Sequence, residues 1–404
     1  MNRPSLLHII ERLEGFLGKL PPAIQKPVLH ELTPLKELFL QQRSPRFVLT
    51  GSNKFTLQEI VAALFRWTPP AESRDMLTEL FRWQAIDLSG RGTVALLDAR
   101  GSDAKTAAAI EDELKREAAD IFLHLGNGGA SSSVSGRELD NLAAFIATNA
   151  GGKSEAQVIG ILFDEGARSA RAIHNGETTS AVQRDKRTQF QNALREKPEV
   201  RQRLLDVCHI SMGAIPPNQD SQQDSAHFMA LLARKMPNEA RVEMVRISHD
   251  RPAQLEIAQS LVKSTTAICT AIGAQPIPLA DLPILTALQL VMVSGIMYIG
   301  GRERSLRAAT EFVGALGVNV GAGMILREGT RALLKFFPGW GNVVCGMVAG
   351  AGTYAIGRAA IVYFLEGMSL KDARRTYLKT RKKRGERKES EPREIPSTVV
   401  KPVE

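Results

Sequence analysis

Arg46-Phe47-Val48-Leu49-Thr50-Gly51-Ser52-Asn53-Lys54-Phe55-Thr56-Leu57 is the stretch on which the fold turns. Its first five residues form an apolar, β-prone run that Gly51 ends, and from Phe55 to Phe65 apolar side chains recur at helical spacing. The reading is strand, tight turn, helix. Further along, the runs Ala85–Leu88 and Thr93–Leu97 flank Ser89-Gly90-Arg91-Gly92, which predicts a hairpin. A charged helix over Ala104–Ala118, a strand over Ile121–Leu125, a loop over Gly126–Gly136 and a helix over Arg137–Thr148 follow. Two more buried strands are expected at Val158–Phe163 and Leu205–Ile210. Strands alternating with helices predict a six-stranded, mostly parallel α/β sheet covered on both faces. The strand from Ala85 should be antiparallel, because only a hairpin joins two strands so briefly.

The first turn has the setting of a phosphate-binding loop. Such a loop needs backbone N–H groups at a helix N-terminus, a lysine to reach phosphates, and a hydroxyl for Mg²⁺. The full pattern places five residues between the first glycine and the lysine. Here only Ser52 and Asn53 separate Gly51 from Lys54; Asn53 takes the second glycine's place, and Phe55 stands where the hydroxyl belongs. Thr56 lies about 100° further round the helix. Two readings stay open: a tight turn with a solvated Lys54, or residual phosphate contact through Gly51, Ser52, Asn53, Lys54 and Thr56. After the hairpin comes Asp98-Ala99-Arg100-Gly101. An Asp-x-x-Gly at that place can hold Mg²⁺ through water on Asp98 and report a γ-phosphate at Gly101; an ordinary polar turn is the alternative. No Asn-Lys-x-Asp follows the fifth strand, where Phe163-Asp164-Glu165-Gly166 stands instead, and the sixth strand ends in Ser211-Met212. The seven histidines (His8, His30, His124, His174, His209, His227, His249) show no metal spacing, and Cys208, Cys269 and Cys345 read as small buried hydrophobes.

The net charge of +9 belongs to one segment: residues 371–388 hold ten Lys/Arg against Asp372 and Glu386. With no basic domain and few aromatics, nucleic-acid binding is not expected, apart from salt-sensitive contact by this tail. From Leu255 the composition turns apolar and rich in glycine. Leu282–Gly301, Phe312–Leu326 and Phe336–Gly357 carry no charge over 20, 15 and 22 residues. A spanning helix needs about 20 apolar residues, so the first and third are long enough. Gly317…Gly321 and Gly346…Gly350 have the small-xxx-small spacing of close helix pairs, which allows a homo-oligomer through these helices.

Taken together, these residues resemble Era-like bacterial GTPases that carry a C-terminal YcjF-type helical domain of unknown function. The resemblance spans about residues 30 to 367. Its N-terminal part rests on the order of Gly51…Lys54, the hairpin, Asp98-x-x-Gly101, and strands ending near Asp164 and Ser211. Its C-terminal part rests on Gln275-Pro276-Ile277-Pro278-Leu279-Ala280-Asp281, Gln289, Met292, Pro338-Gly339-Trp340-Gly341, Thr353…Gly357 and Tyr363-Phe364…Gly367. The resemblance implies a P-loop GTPase-like domain with GTP and Mg²⁺, working at the cytoplasmic face of a bacterial inner membrane. The expected layout is N-terminal helices (1–44), a GTPase-like α/β domain (45–212), a linker with bridging helices (213–254), a hydrophobic YcjF-type helical domain (255–368) and a basic then unstructured tail (369–404). The degenerate loop favours a pseudo-GTPase scaffold for a protein partner over an active GTPase or a ribosome- or RNA-associated module.

Overall fold

The structure is a computed structural model; it describes residues 25–26, 29, 42–67, 81–127, 134–152, 155–165, 177–212, 219–274, 281–316 and 341–386. The expectations for residues 1–24, the Gly126–Gly136 loop beyond residue 127, the Gln275–Ala280 motif, Gly317…Gly321 and the tail beyond residue 386 lie outside those residues. The chain divides into two compact units, residues 36–254 and residues 1–35 with 255–404.

The first unit is a six-stranded sheet of β1 (Arg46–Gly51), β2 (Trp83–Asp87), β3 (Thr93–Asp98), β4 (Ile121–Asn127), β5 (Gln157–Glu165) and β6 (Leu204–Met212). The spatial order is β2-β3-β1-β4-β5-β6. Every neighbouring pair is parallel except β2–β3, which is antiparallel as the hairpin requires. This is the expected six-stranded, mostly parallel α/β sheet. β1 lies between β3 and β4, which explains why Phe47 through Gly51 are all buried. Alternate residues serve opposite layers: Phe47 and Leu49 join one core cluster and Val48 the other.

One face is covered by α1 (Leu57–Phe65), through Ile60, Val61, Leu64 and Phe65, none of them exposed. The other is covered by α2 (Ala104–Arg116), α3 (Gly136–Thr148) and α4 (Glu177–Leu194), through Ile110, Leu142, Phe145 and Phe190. Each such buried large side chain contributes about 1.5–3 kcal/mol. A short helix, α5 (Pro198–Arg203), leads into β6. Residues 213–254, read as a linker with bridging helices, contain α6 (Gln219–Lys235) and α7 (Asn238–Ser248). Both pack on the sheet: Phe228, Leu232, Met244 and Ile247 belong to the same core cluster as α1. Their apolar stripes face the sheet, so they are part of this unit.

The second unit is helical. Helix α8 (Arg251–Gly273), which begins at its edge, is followed by α9 (Asp281–Ile299), α10 (Leu306–Ala315), α11 (Gly341–Phe364) and α12 (Leu370–Glu386). The uncharged stretch Leu282–Gly301 becomes α9 and much of Phe336–Gly357 becomes α11. Among the described residues one helical segment, Gly346–Phe364, is long and apolar enough to cross a membrane, and 56% of its apolar window is buried inside the protein. Three glycines of α11 serve packing within the chain. A Cβ at Gly346 would lie 2.7 Å from the Thr270 carbonyl oxygen, one at Gly350 would strike the Thr270 side chain, and one at Gly357 would crowd Val262. All three neighbours are on α8, so small residues let these two helices touch. Gln289 on α9 donates to the fully buried Thr353 hydroxyl on α11 at 2.9 Å, a polar tie inside the apolar bundle.

Candidate functional site

Gly51 closes β1 with φ +85°, and an added Cβ would collide with the carbonyl oxygen of Leu125 on β4. That carbonyl accepts the Ser52 N–H at 2.8 Å, so the turn is tied down on its neighbouring strand. Asn53 sits against Gly101: a Cβ at Gly101, where φ is +65°, would lie 3.2 Å from Asn53 Nδ2. The first turn and the Asp98-x-x-Gly101 turn therefore meet, as the sequence implied. What fills the space between them differs from a nucleotide site in three respects.

First, the helix N-terminus is already served. Thr56 is the N-cap of α1 and accepts the Glu59 N–H at 3.2 Å. The Glu59 carboxylate in turn accepts the Thr56 N–H and hydroxyl, each at 2.9 Å. This capping box puts a carboxylate where the partial positive charge of the helix would attract a phosphate. Second, Phe55 turns inward and meets the Phe163 ring edge-on, centroids 5.3 Å apart. Lys54 Nζ lies 5.7 Å from the Phe55 ring centroid. Third, Asp98 is not open to a hydrated cation. Arg100 grips it with two bonds of 2.7 Å, from Nε to Oδ1 and from Nη2 to Oδ2, and both side chains are buried. The remaining Nη1 donates to the Phe55 carbonyl at 2.6 Å. A guanidinium thus supplies the positive charge beside Asp98 and joins the two turns. Taken together, the residues present do not fit GTP with Mg²⁺.

Beneath the first turn, Thr50 Oγ1 and His124 Nδ1 are 3.0 Å apart, and the His124 ring stacks on Phe190 at 5.9 Å. His124 Nε2 is buried and has no hydrogen-bond partner among the described residues. Burial lowers the His124 pKa to about 4. The unfolded chain, with an ordinary histidine near 6.5, binds a proton that the folded chain refuses. Stability from this group is therefore complete above pH 6.5 and falls by about 3 kcal/mol as the pH drops to 4, at 1.36 kcal/mol per pKa unit. Urea unfolding at a series of pH values should give a shallower slope across this window in His124→Gln than in the parent.

At the open edge of the sheet, β6 and α6 bring together three residues that the sequence left apart. The ligand atoms of Asp206, Cys208 and His227 all lie within 4.8 Å of one another. His227 Nε2 is 2.9 Å from Asp206 Oδ2, and Arg187 of α4 donates to Asp206 Oδ1 at 2.7 Å. Burial alone would raise the Asp206 pKa; the hydrogen bonds from His227 and Arg187 overcome it and hold it below the ordinary carboxylate value. Burial, aided by Asp206, pushes the Cys208 thiol up to about 12. The local signal was Asp206-x-Cys208, two residues that a strand presents on one face. Its third member came from a separate helix, which no sequence spacing predicts.

Asp164 and Ser211 are paired across β5 and β6, near the ends of those strands, as the sequence order implied; their side chains lie outside the description. Cys269 is buried, as expected.

No family model matches the chain. Over 140 residues it is 29% identical to Magnetosome membrane protein 22 of Magnetospirillum gryphiswaldense, a match covering 32% of this chain and 70% of that relative. Among solved structures, a dimerization-deficient mutant of Toc33 from Arabidopsis thaliana is similar at TM-score 0.33 and 13% identity, covering 59% of this chain and 94% of that one. At that score the likeness adds nothing to the strand order, on which the fold stands.

Proposed function

We propose that the α/β unit is an Era-like pseudo-GTPase: a GTPase-shaped scaffold that binds a protein partner and does not turn over GTP. The observation that carries this reading is Arg100, whose guanidinium neutralises Asp98 and ties it to the Phe55 carbonyl. Phosphoryl transfer is mostly positioning and charge stabilisation, so a loop that holds its own cation and its own carboxylate has no room for that chemistry. Titration of the full chain with GTP and Mg²⁺ by calorimetry, alongside phosphate release, is expected to give no heat of binding and no turnover. Micromolar binding with turnover, both lost in Lys54→Ala, would refute the reading.

The helical unit, of YcjF type by its resemblance, attaches the scaffold to a membrane in this proposal, at the cytoplasmic face. The apolar helix segment Gly346–Phe364 supports this, as does the basic helix α12. The similarity to a magnetosome membrane protein supports the same reading. Lys and Arg near an anionic surface each add about 1 kcal/mol of attraction. Fractionated cells should place the chain with membranes. Recovery wholly in the soluble fraction sinks attachment, and release by carbonate would leave it peripheral.

A further inference from the structure

The Asp206, Cys208 and His227 cluster has no part in the scaffold reading above. Three chemistries could use these residue types. A cysteine nucleophile needs a base on its sulfur and an accessible thiolate. Here Cys208 is 3% exposed, and His227 Nε2 is spent on Asp206. A purely structural ion triad would need only Arg187, Asp206 and His227 and would leave the thiol idle. A metal ion uses all three donor atoms.

We propose that Asp206, Cys208 and His227 form a binding site for a divalent transition-metal ion of the zinc class. One thiolate sulfur, one imidazole nitrogen and one carboxylate oxygen make a mixed S/N/O donor set, which suits a borderline-soft ion and not Mg²⁺ or Ca²⁺. The elements deliver the donors for simple reasons. Asp206 and Cys208 are two apart on β6 and so share the face that α6 covers. His227 stands beside the buried Phe228, whose ring anchors that turn of α6 to the sheet core. Asp206 Oδ2 and His227 Nε2 are 2.9 Å apart, so with bonds of about 2.0–2.2 Å a zinc ion would open this hydrogen-bonded pair by about half an ångström to reach the tetrahedral angle.

The charges also close. The Cys208 thiolate and the Asp206 carboxylate cancel the ion's two positive charges. Arg187 stays on the second Asp206 oxygen as an orienting hydrogen bond. Asp224, one helical turn before His227, acts on Cys208 through its charge and offsets Arg187. Binding releases one proton, from the thiol. His227 is exposed, so the ion has a way in, and a water completes the coordination on that side.

The test uses the full chain, stripped with chelator and titrated with Co²⁺ and then Zn²⁺. One Co²⁺ per chain should produce a thiolate-to-cobalt charge-transfer band that Zn²⁺ bleaches. The band should vanish in Cys208→Ser, and the apparent Kd should rise at least about tenfold in His227→Ala. The proposal fails if the parent shows no such band, or if the band survives in Cys208→Ser and so belongs to another thiol. Should Cys208→Ser not fold, the exposed His227→Ala decides alone: an unchanged Kd overturns the site. GTP titration is blind to this cluster, so its outcome and this one can differ.

Discussion

Gly51→Ala is expected to lower the stability of the α/β unit by about 2–5 kcal/mol. Two costs add. A side chain in the left-handed region costs about 1–2 kcal/mol, and φ here is +85°. An added atom in a packed interior costs about 1–3 kcal/mol more, and this one meets the Leu125 backbone, which is fixed in the sheet. The natural control is Gly90, which has φ +80° but nothing within 4 Å of an added Cβ. Gly90→Ala should cost only the conformational part, about 1–2 kcal/mol. Urea denaturation of both variants separates strain from collision. Equal losses would mean that the contact with Leu125 relaxes, and that Gly51 is kept for its dihedral angle alone.

The same glycine shows why the fold was legible in the sequence. A buried β-prone run stopped by a glycine, followed by helical spacing, has few realisations. The antiparallel placement of β2 followed from the length of the Ser89–Gly92 turn, with no tertiary information. The two turns also came together as their order in the sequence implied. What filled them was not legible. Thr56 was weighed as a phosphate contact, whereas its hydroxyl caps α1 with Glu59, a local bond available whenever Thr-x-x-Glu opens a helix. Asp98 was read as a carboxylate for Mg²⁺, yet the residue that occupies it, Arg100, stands in the same four-residue motif. A motif records spacing; it does not say whether an intervening side chain folds back. The uncharged helices were ambiguous for a related reason. Burial inside a bundle and burial in lipid select the same residues, and the glycines of α11 that lie against Thr270 and Val262 pack helices closely in either setting.

Arg100→Ala is expected to be as costly as the loss of a core side chain, about 3–5 kcal/mol at pH 7, because it strands a buried carboxylate. Asp98 is 4% exposed, and apart from Arg100 itself none of its hydrogen bonds among the described residues comes from a cation. Urea unfolding of parent and variant at pH 7 measures this gap. Asp98→Asn placed on Arg100→Ala removes the stranded charge and should recover part of the loss at pH 7. By contrast, the exposed pair Lys115–Asp112 should change stability by less than about 0.5 kcal/mol when Lys115 becomes Ala. If Arg100→Ala proved equally mild, Asp98 would be reaching solvent or another cation. The guanidinium would then not be the fixed charge that joins the two turns.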